Sequence, residues 1–206
     1  EAELLSKGGK AKAFAGVFRN PPHSTRQIME PQTYLSGERI EPMRLPDFAH
    51  DFKNYERFDI GAIGEFDVAV LIDEYAGVET SKRLYPHWRG GYYYAARPKG
   101  DASAPLALLY VSRWSNAEKA AEFASIYSKS LIKRYKRARE VPSDTKDASS
   151  TSPSDALTGE HTWLTEEGPV VIDVQGDTVL VSESLDQTTT EQAEKEVFAK
   201  AVAKSN

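Results

Sequence analysis

The chain has 206 residues, of which 40% are hydrophobic and 28% charged; this is enough apolar content for a core and too much for a largely disordered chain. A net charge of −5 argues against nucleic acid as the main partner, and the absence of cysteine excludes disulfides, Cys-ligated zinc, iron–sulfur clusters and thiol nucleophiles. The longest apolar run in mid-chain, Val68–Ile72, is far shorter than the about 20 residues of a bilayer-spanning helix, so no transmembrane segment is expected.

The chain starts Glu1-Ala2-Glu3 and reads as a piece of a longer product. Residues 1–19 have helical spacing interrupted by Gly8-Gly9, and residues 20–58 are rich in proline. Within them Ser24-Thr25-Arg26-Gln27 reads as a capping box that opens a short helix. Residues 1–58 are therefore expected to be a helical and irregular arm, and residues 59–206 an α+β domain.

In that domain the spacing predicts a helix over 59–76, capped by Asp59, with Ile63, Phe66 and Val70 on its apolar side, and a second helix over 79–88. Two strands follow, Gly91–Arg97 and Leu106–Trp114, joined by a turn-rich link. Ser115-Asn116-Ala117-Glu118 reads as a capping box for a helix reaching Arg139, with a stripe of Ala120, Phe123, Tyr127, Leu131 and Tyr135. Residues 141–159 are polar and low in complexity and are expected to form a flexible loop. Strands over 161–166, 169–174 and 178–184 and a helix over 188–203 complete the chain. The expected fold is α+β: a mostly antiparallel sheet of about five strands, ββαβββα at its core, with helices covering one face.

Motifs for chemistry are absent. His23, His50, His87 and His161 are too far apart for an H-E-x-x-H pair, and there is no G-x-S-x-G elbow, dinucleotide fingerprint or phosphate loop. No catalytic, cofactor-binding or metal residue is assigned. Lys129, Lys133, Arg134, Lys136, Arg137 and Arg139 crowd one helix end. They read either as a contact for phosphate or acidic lipid headgroups or as cations placed favourably at a helix C-terminus. Tyr85-Pro86-His87-Trp88-Arg89-Gly90-Gly91 followed by Tyr92-Tyr93-Tyr94 has two readings. It is either a ligand or peptide groove built on His87, Trp88, Arg89, Tyr92 and Tyr94, or a helix-to-strand corner plugged by Trp88.

Asn20-Pro21-Pro22-His23-Ser24-Thr25-Arg26-Gln27-Ile28-Met29-Glu30-Pro31-Gln32-Thr33-Tyr34-Leu35 resembles a signature of exported bacterial proteins related to zinc metallopeptidases. Asp59–Phe66, His87–Gly91, Trp114–Phe123 and Gln175–Leu180 are similar to later motifs of that group, so the resemblance spans most of the chain. It implies that the H-E-x-x-H helix and its zinc lie in an upstream domain, because no residue here matches them. The chain would then be a noncatalytic C-terminal region of an exported (periplasmic or secreted) protein, supporting structure or presenting a peptide or protein substrate. Its arm would pack on the upstream domain of the same precursor. The alternatives are a self-standing binding module around Trp88 and an independent hydrolase without a recognisable motif.

Overall fold

The near-continuous apolar run Ala107–Trp114 forms strand β3, buried from both sides. Its alternation sends Tyr110 and Trp114 to one face of the sheet and Ala107, Leu109 and Val111 to the other. The computed structural model describes Leu5, residues 8–142 and residues 156–202. The expected loop 141–159 therefore falls mostly outside the described residues.

A π-helical stretch, Ala11–Gly16, runs into the turn α1, Val17–Arg19. Two short helices follow, α2 (Thr25–Met29) and α3 (Pro31–Ser36). Then come β1 (Tyr55–Ala62), α4 (Glu65–Ala76), α5 (Val78–Leu84), a 3-10 turn (Tyr85–His87), β2 (Trp88–Pro98) and β3. The chain continues through α6 (Ala117–Arg134), β4 (Ala138–Val141), β5 (Gly159–Thr165), β6 (Gly168–Gln175), β7 (Thr178–Glu183) and α7 (Gln187–Val202). The strands form one sheet in the order β1-β2-β3-β7-β6-β5-β4, and every pairing is antiparallel.

The α+β class and the antiparallel sheet agree with the sequence; the count of five strands does not, because the sheet has seven. β1 occupies the first residues of the expected 59–76 helix. It is an edge strand, mostly exposed, so its composition carries little alternation. The second extra strand, β4, occupies the expected end of the long helix. Tyr135 is extended (φ −104°, ψ 145°), and the next two backbone N–H groups, of Lys136 and Arg137, donate to the Glu166 carboxylate at 2.8 and 2.9 Å. That carboxylate turns the chain into the sheet.

Both faces of the sheet are covered, where helices on one face were expected. Val68 and Ile72 of α4, Leu84 of α5 and Phe123, Tyr127 and Leu131 of α6 pack on Trp88, Tyr110 and Trp114. The opposite face holds Ala193, Val197 and Phe198 of α7 together with Phe48, Phe52 and Tyr55. A division at residue 58 thus falls inside β1, just after a stretch that contributes three aromatic side chains to the core. The C-terminal end of α6 is fastened to β7 through Glu183, which accepts from the hydroxyls of Tyr127 and Tyr135, each at 2.8 Å, and from the Arg134 guanidinium.

The helix starts show how local signals were resolved. Asn116, not Ser115, caps α6, its side chain accepting from Lys119 N at 3.0 Å. Ser115 is still held by the preceding corner, donating its N–H to His87 O at 2.8 Å. Helix α4 starts at Glu65, so Asp59 does not cap it. The phase also differs: Glu65, Val68, Ala69 and Ile72 form the buried side, and Phe66 and Val70 are exposed.

Gly64, in the N-cap position of α4, has no side-chain oxygen to offer. Asp67 Oδ2 accepts from Gly64 N at 2.8 Å, and the missing cap comes from the arm: Thr25 Oγ1 accepts from Phe66 N at 3.3 Å. A Cβ on Gly64 would lie 2.6 Å from that same oxygen. Glycine is therefore required here by space, since its φ of −96° suits any residue. Gly64→Ser, normally an improvement at an N-cap, is expected to destabilise the chain by about 1–2 kcal/mol, with the cost largely removed in a Thr25→Ala background. Urea denaturation of the four proteins measures the coupling, and an equal cost in both backgrounds would refute it.

Candidate functional site

The five residues of the aromatic corner separate in the structure. Trp88 pairs with Trp114 and Gly90 with Arg113, so Arg89 is an extra residue in β2. This bulge reverses the facing of the strand. Trp88 enters the core under α4 and α6, whereas Tyr92 enters the opposite core and Tyr94 packs beside it, 4.3 Å from the Phe52 ring centre. Gly90 permits the bulge with φ +150°, and a Cβ there would come within 2.9 Å of Met43. His87 is half-buried, its Nδ1 2.9 Å from Ser115 Oγ. The half-buried Arg89 donates from Nη1 to the carbonyls of Pro86 and Trp88, both at 2.8 Å. These side chains do not converge on one cleft.

What does converge is the signature segment, the start of α4 and the corner. Arg26 of α2 is only 7% exposed, and Glu65, the first residue of α4, is fully buried. Arg26 Nη1 donates to Glu65 Oε2 at 3.0 Å and to Pro86 O at 2.9 Å, and Nε donates to Glu38 Oε1 at 3.2 Å. Glu30 Oε2 lies 2.8 Å from Nη1 as a further ion-pair partner. Pro86 O thereby accepts from Arg26 and Arg89 together. Gln27 adds two bonds at the arm, accepting from His23 N at 2.8 Å and donating to Glu38 O at 3.1 Å.

The electrostatics follow from burial. Burial disfavours the Arg26 charge, but Glu65, Glu30 and Glu38 outweigh it and hold the guanidinium above its usual range. Arg89 is lowered by burial and by its neighbour Arg26. Burial pushes the Glu65 carboxyl up to about 7 against the pull of Arg26, and Glu65 Oε1 is buried without a hydrogen-bond partner. Such a value suits proton transfer, but a carboxyl with no exposed surface cannot reach a substrate. Its chemistry is that of a protonation-sensitive clamp between arm and domain.

No family model, curated protein or solved structure matches the chain. Among the described residues no group of three or more His, Asp or Glu could hold a metal ion, and no helix is long and apolar enough to cross a membrane.

Sequence reasoning singled out the segments but not the pair. Arg26 reads as part of a capping box and Glu65 as one residue of the expected 59–76 helix. The available signal was Gly64-Glu65, a glycine followed by a charged residue at the start of an apolar helix. The partner, 39 residues away, has no local trace.

Two outcomes are expected. Between pH about 4.5 and about 7 the folded chain retains a proton on Glu65 that the unfolded chain has released, so stability falls as pH rises through this window, by on the order of 3 kcal/mol. Glu65→Gln removes that component, so the difference between wild-type and variant urea midpoints changes across this window and is flat above it; parallel curves would contradict the assignment. Trp88→Ala empties a core position and is expected to cost about 3–5 kcal/mol. A variant of wild-type stability that had lost binding of a ligand would instead revive a groove at the corner.

Proposed function

We propose that this chain is a noncatalytic supporting region of an exported metallopeptidase-like protein, and that its arm carries the surface on which an upstream domain of the same precursor packs. The observation that carries this reading is the two-sided character of the arm. Its polar residues Thr25 and Arg26 are committed to α4 and the corner, yet Phe14, Phe18 and Ile28 face solvent, Phe18 with 89% of its surface exposed. Large apolar side chains held in water next to a firmly anchored segment mark a surface made to be covered. Full burial of each would contribute about 1.5–3 kcal/mol.

The reading is also supported by how the signature residues are used. They fasten the arm in a fixed position, as expected of a presenting or supporting element. Zinc and peptide cleavage belong, on this reading, to the upstream domain, with a peptide or protein substrate as the shared ligand. Export is taken from the same resemblance.

The test is the native protein, captured from its source with an antibody against this region. The expected species is heavier than the 206-residue chain by at least a domain, binds zinc, and shows slow hydrogen exchange in the helix around Phe18. The isolated chain should exchange rapidly there and cleave no casein. A native species of the same mass as the chain, or metal-dependent cleavage by the chain alone, would overturn the reading.

A further inference from the structure

We propose that the cleft between the C-terminal end of α6 and the β4–β5 edge binds an extended, carboxylate-rich segment of a partner protein, laid along the free side of β4. Among the described residues β4 pairs only with β5, so its other side is an edge of the sheet where an extended chain could add. Beside it lies an open cleft of about 610 Å³, within the size range of ligand sites. Its lining joins the apolar Ile132 and Leu164 to Lys136, Arg137 and Arg139. Ile132 is 75% exposed and Leu164 47%. The cations stand out on a chain whose net charge is −5.

The cations of the run from Lys129 to Arg139 divide by position. Arg134 is bound to Glu183, and Lys133 lies over the Tyr75 ring and donates to Tyr75 O. By contrast, the side chains of Lys136, Arg137 and Arg139 form no hydrogen bond or ion pair among the described residues. Meanwhile the cleft already holds one carboxylate, that of Glu166, on the consecutive N–H groups of Lys136 and Arg137, and these bonds keep its carboxyl below the usual range. A partner's carboxylates would meet the side chains of Lys136, Arg137 and Arg139, with apolar residues over Ile132 and Leu164.

Two features select this occupant. A planar bilayer cannot enter a concave cleft or use a strand edge. An acidic strand satisfies both the backbone and the charges. This surface is separate from the arm, and its test does not depend on the arm's role.

The experiment uses the 206-residue chain and a fluorescein-labelled peptide of alternating glutamate and valine, about ten residues long, read by fluorescence anisotropy. Binding is expected to weaken about tenfold when salt rises from about 50 to about 300 mM. Lys136→Glu with Arg139→Glu should weaken it at least about tenfold, and Ile132→Ser, on an exposed helix position, about threefold. Circular dichroism checks that the variants are folded, and Ile132→Ser gives an independent reading if the double reversal is not. The proposal is overturned if the peptide does not bind at low salt, if a lysine–valine peptide binds as well, if the variants bind unchanged, or if only vesicles containing about one third phosphatidylserine are bound.

Discussion

The fold depends on one docking event, that of Thr25 and Arg26 on the first turn of α4. Thr25 supplies the cap that Gly64 lacks, and Arg26 neutralises a carboxylate that would otherwise be buried without a counter-charge. The same guanidinium also holds Pro86 O, so the arm, the start of α4 and the entry to β2 are fixed by two adjacent side chains. If that contact is lost, the helix is uncapped and Glu65 loses the partner that favours its charged form, so the buried carboxyl holds its proton still more tightly. The arm is therefore an integral part of the fold, despite its proline content and short helices.

The entry to β2 then determines the two cores. Because Arg89 is an extra residue in the strand, Trp88 and Tyr92 point to opposite faces, and each face receives a large aromatic near the same end of the sheet. Arg89 is held by the carbonyls on either side of the turn, and its place beside Arg26 is tolerable only because Glu65, Glu30 and Glu38 surround the pair. A feature of backbone register is thus linked to the charge balance of the junction.

Much of this was legible in the sequence where burial imposes a period. The near-continuous apolar run of β3 implied a strand, and Ala120, Phe123, Tyr127 and Leu131 marked the inner side of α6; all four are buried. Legibility failed where a partner distant in sequence decides the conformation. β1 has a neighbour on one side only and exposes Phe58 and Ile60, so it carries no clean alternation. The end of α6 was hidden because Lys136, Arg137 and Arg139 are good helix formers, and the carboxylate that redirects them comes from Glu166 in a later turn. The aromatic corner stays open in the sequence between a groove and a corner plugged by Trp88, because one residue of bulge, invisible in the composition, sends its rings to different faces. The Arg26–Glu65 pair lay between two recognised segments, and nothing in either segment names the other.

Two buried carboxylates on the face covered by α4, α5 and α6, Glu183 and Glu65, differ in a way that assigns them different roles. Glu183 has both oxygens occupied, by two tyrosine hydroxyls and an arginine, and so costs little beyond the ordering of those groups. Glu65 has one oxygen occupied and the other buried without a partner. An apolar pair at positions 26 and 65 would hold the arm at least as strongly, since buried ion pairs are often no more stabilising than hydrophobic ones. It would not fix the arm's position along α4, because apolar contacts are non-directional. The charged pair, with its bonds to Pro86 O and Glu38, admits a single register at the cost of an incompletely satisfied carboxylate. The Glu183 network therefore behaves as a fixed brace, and the Arg26–Glu65 junction as the place where the attachment of the arm responds first to a change in protonation.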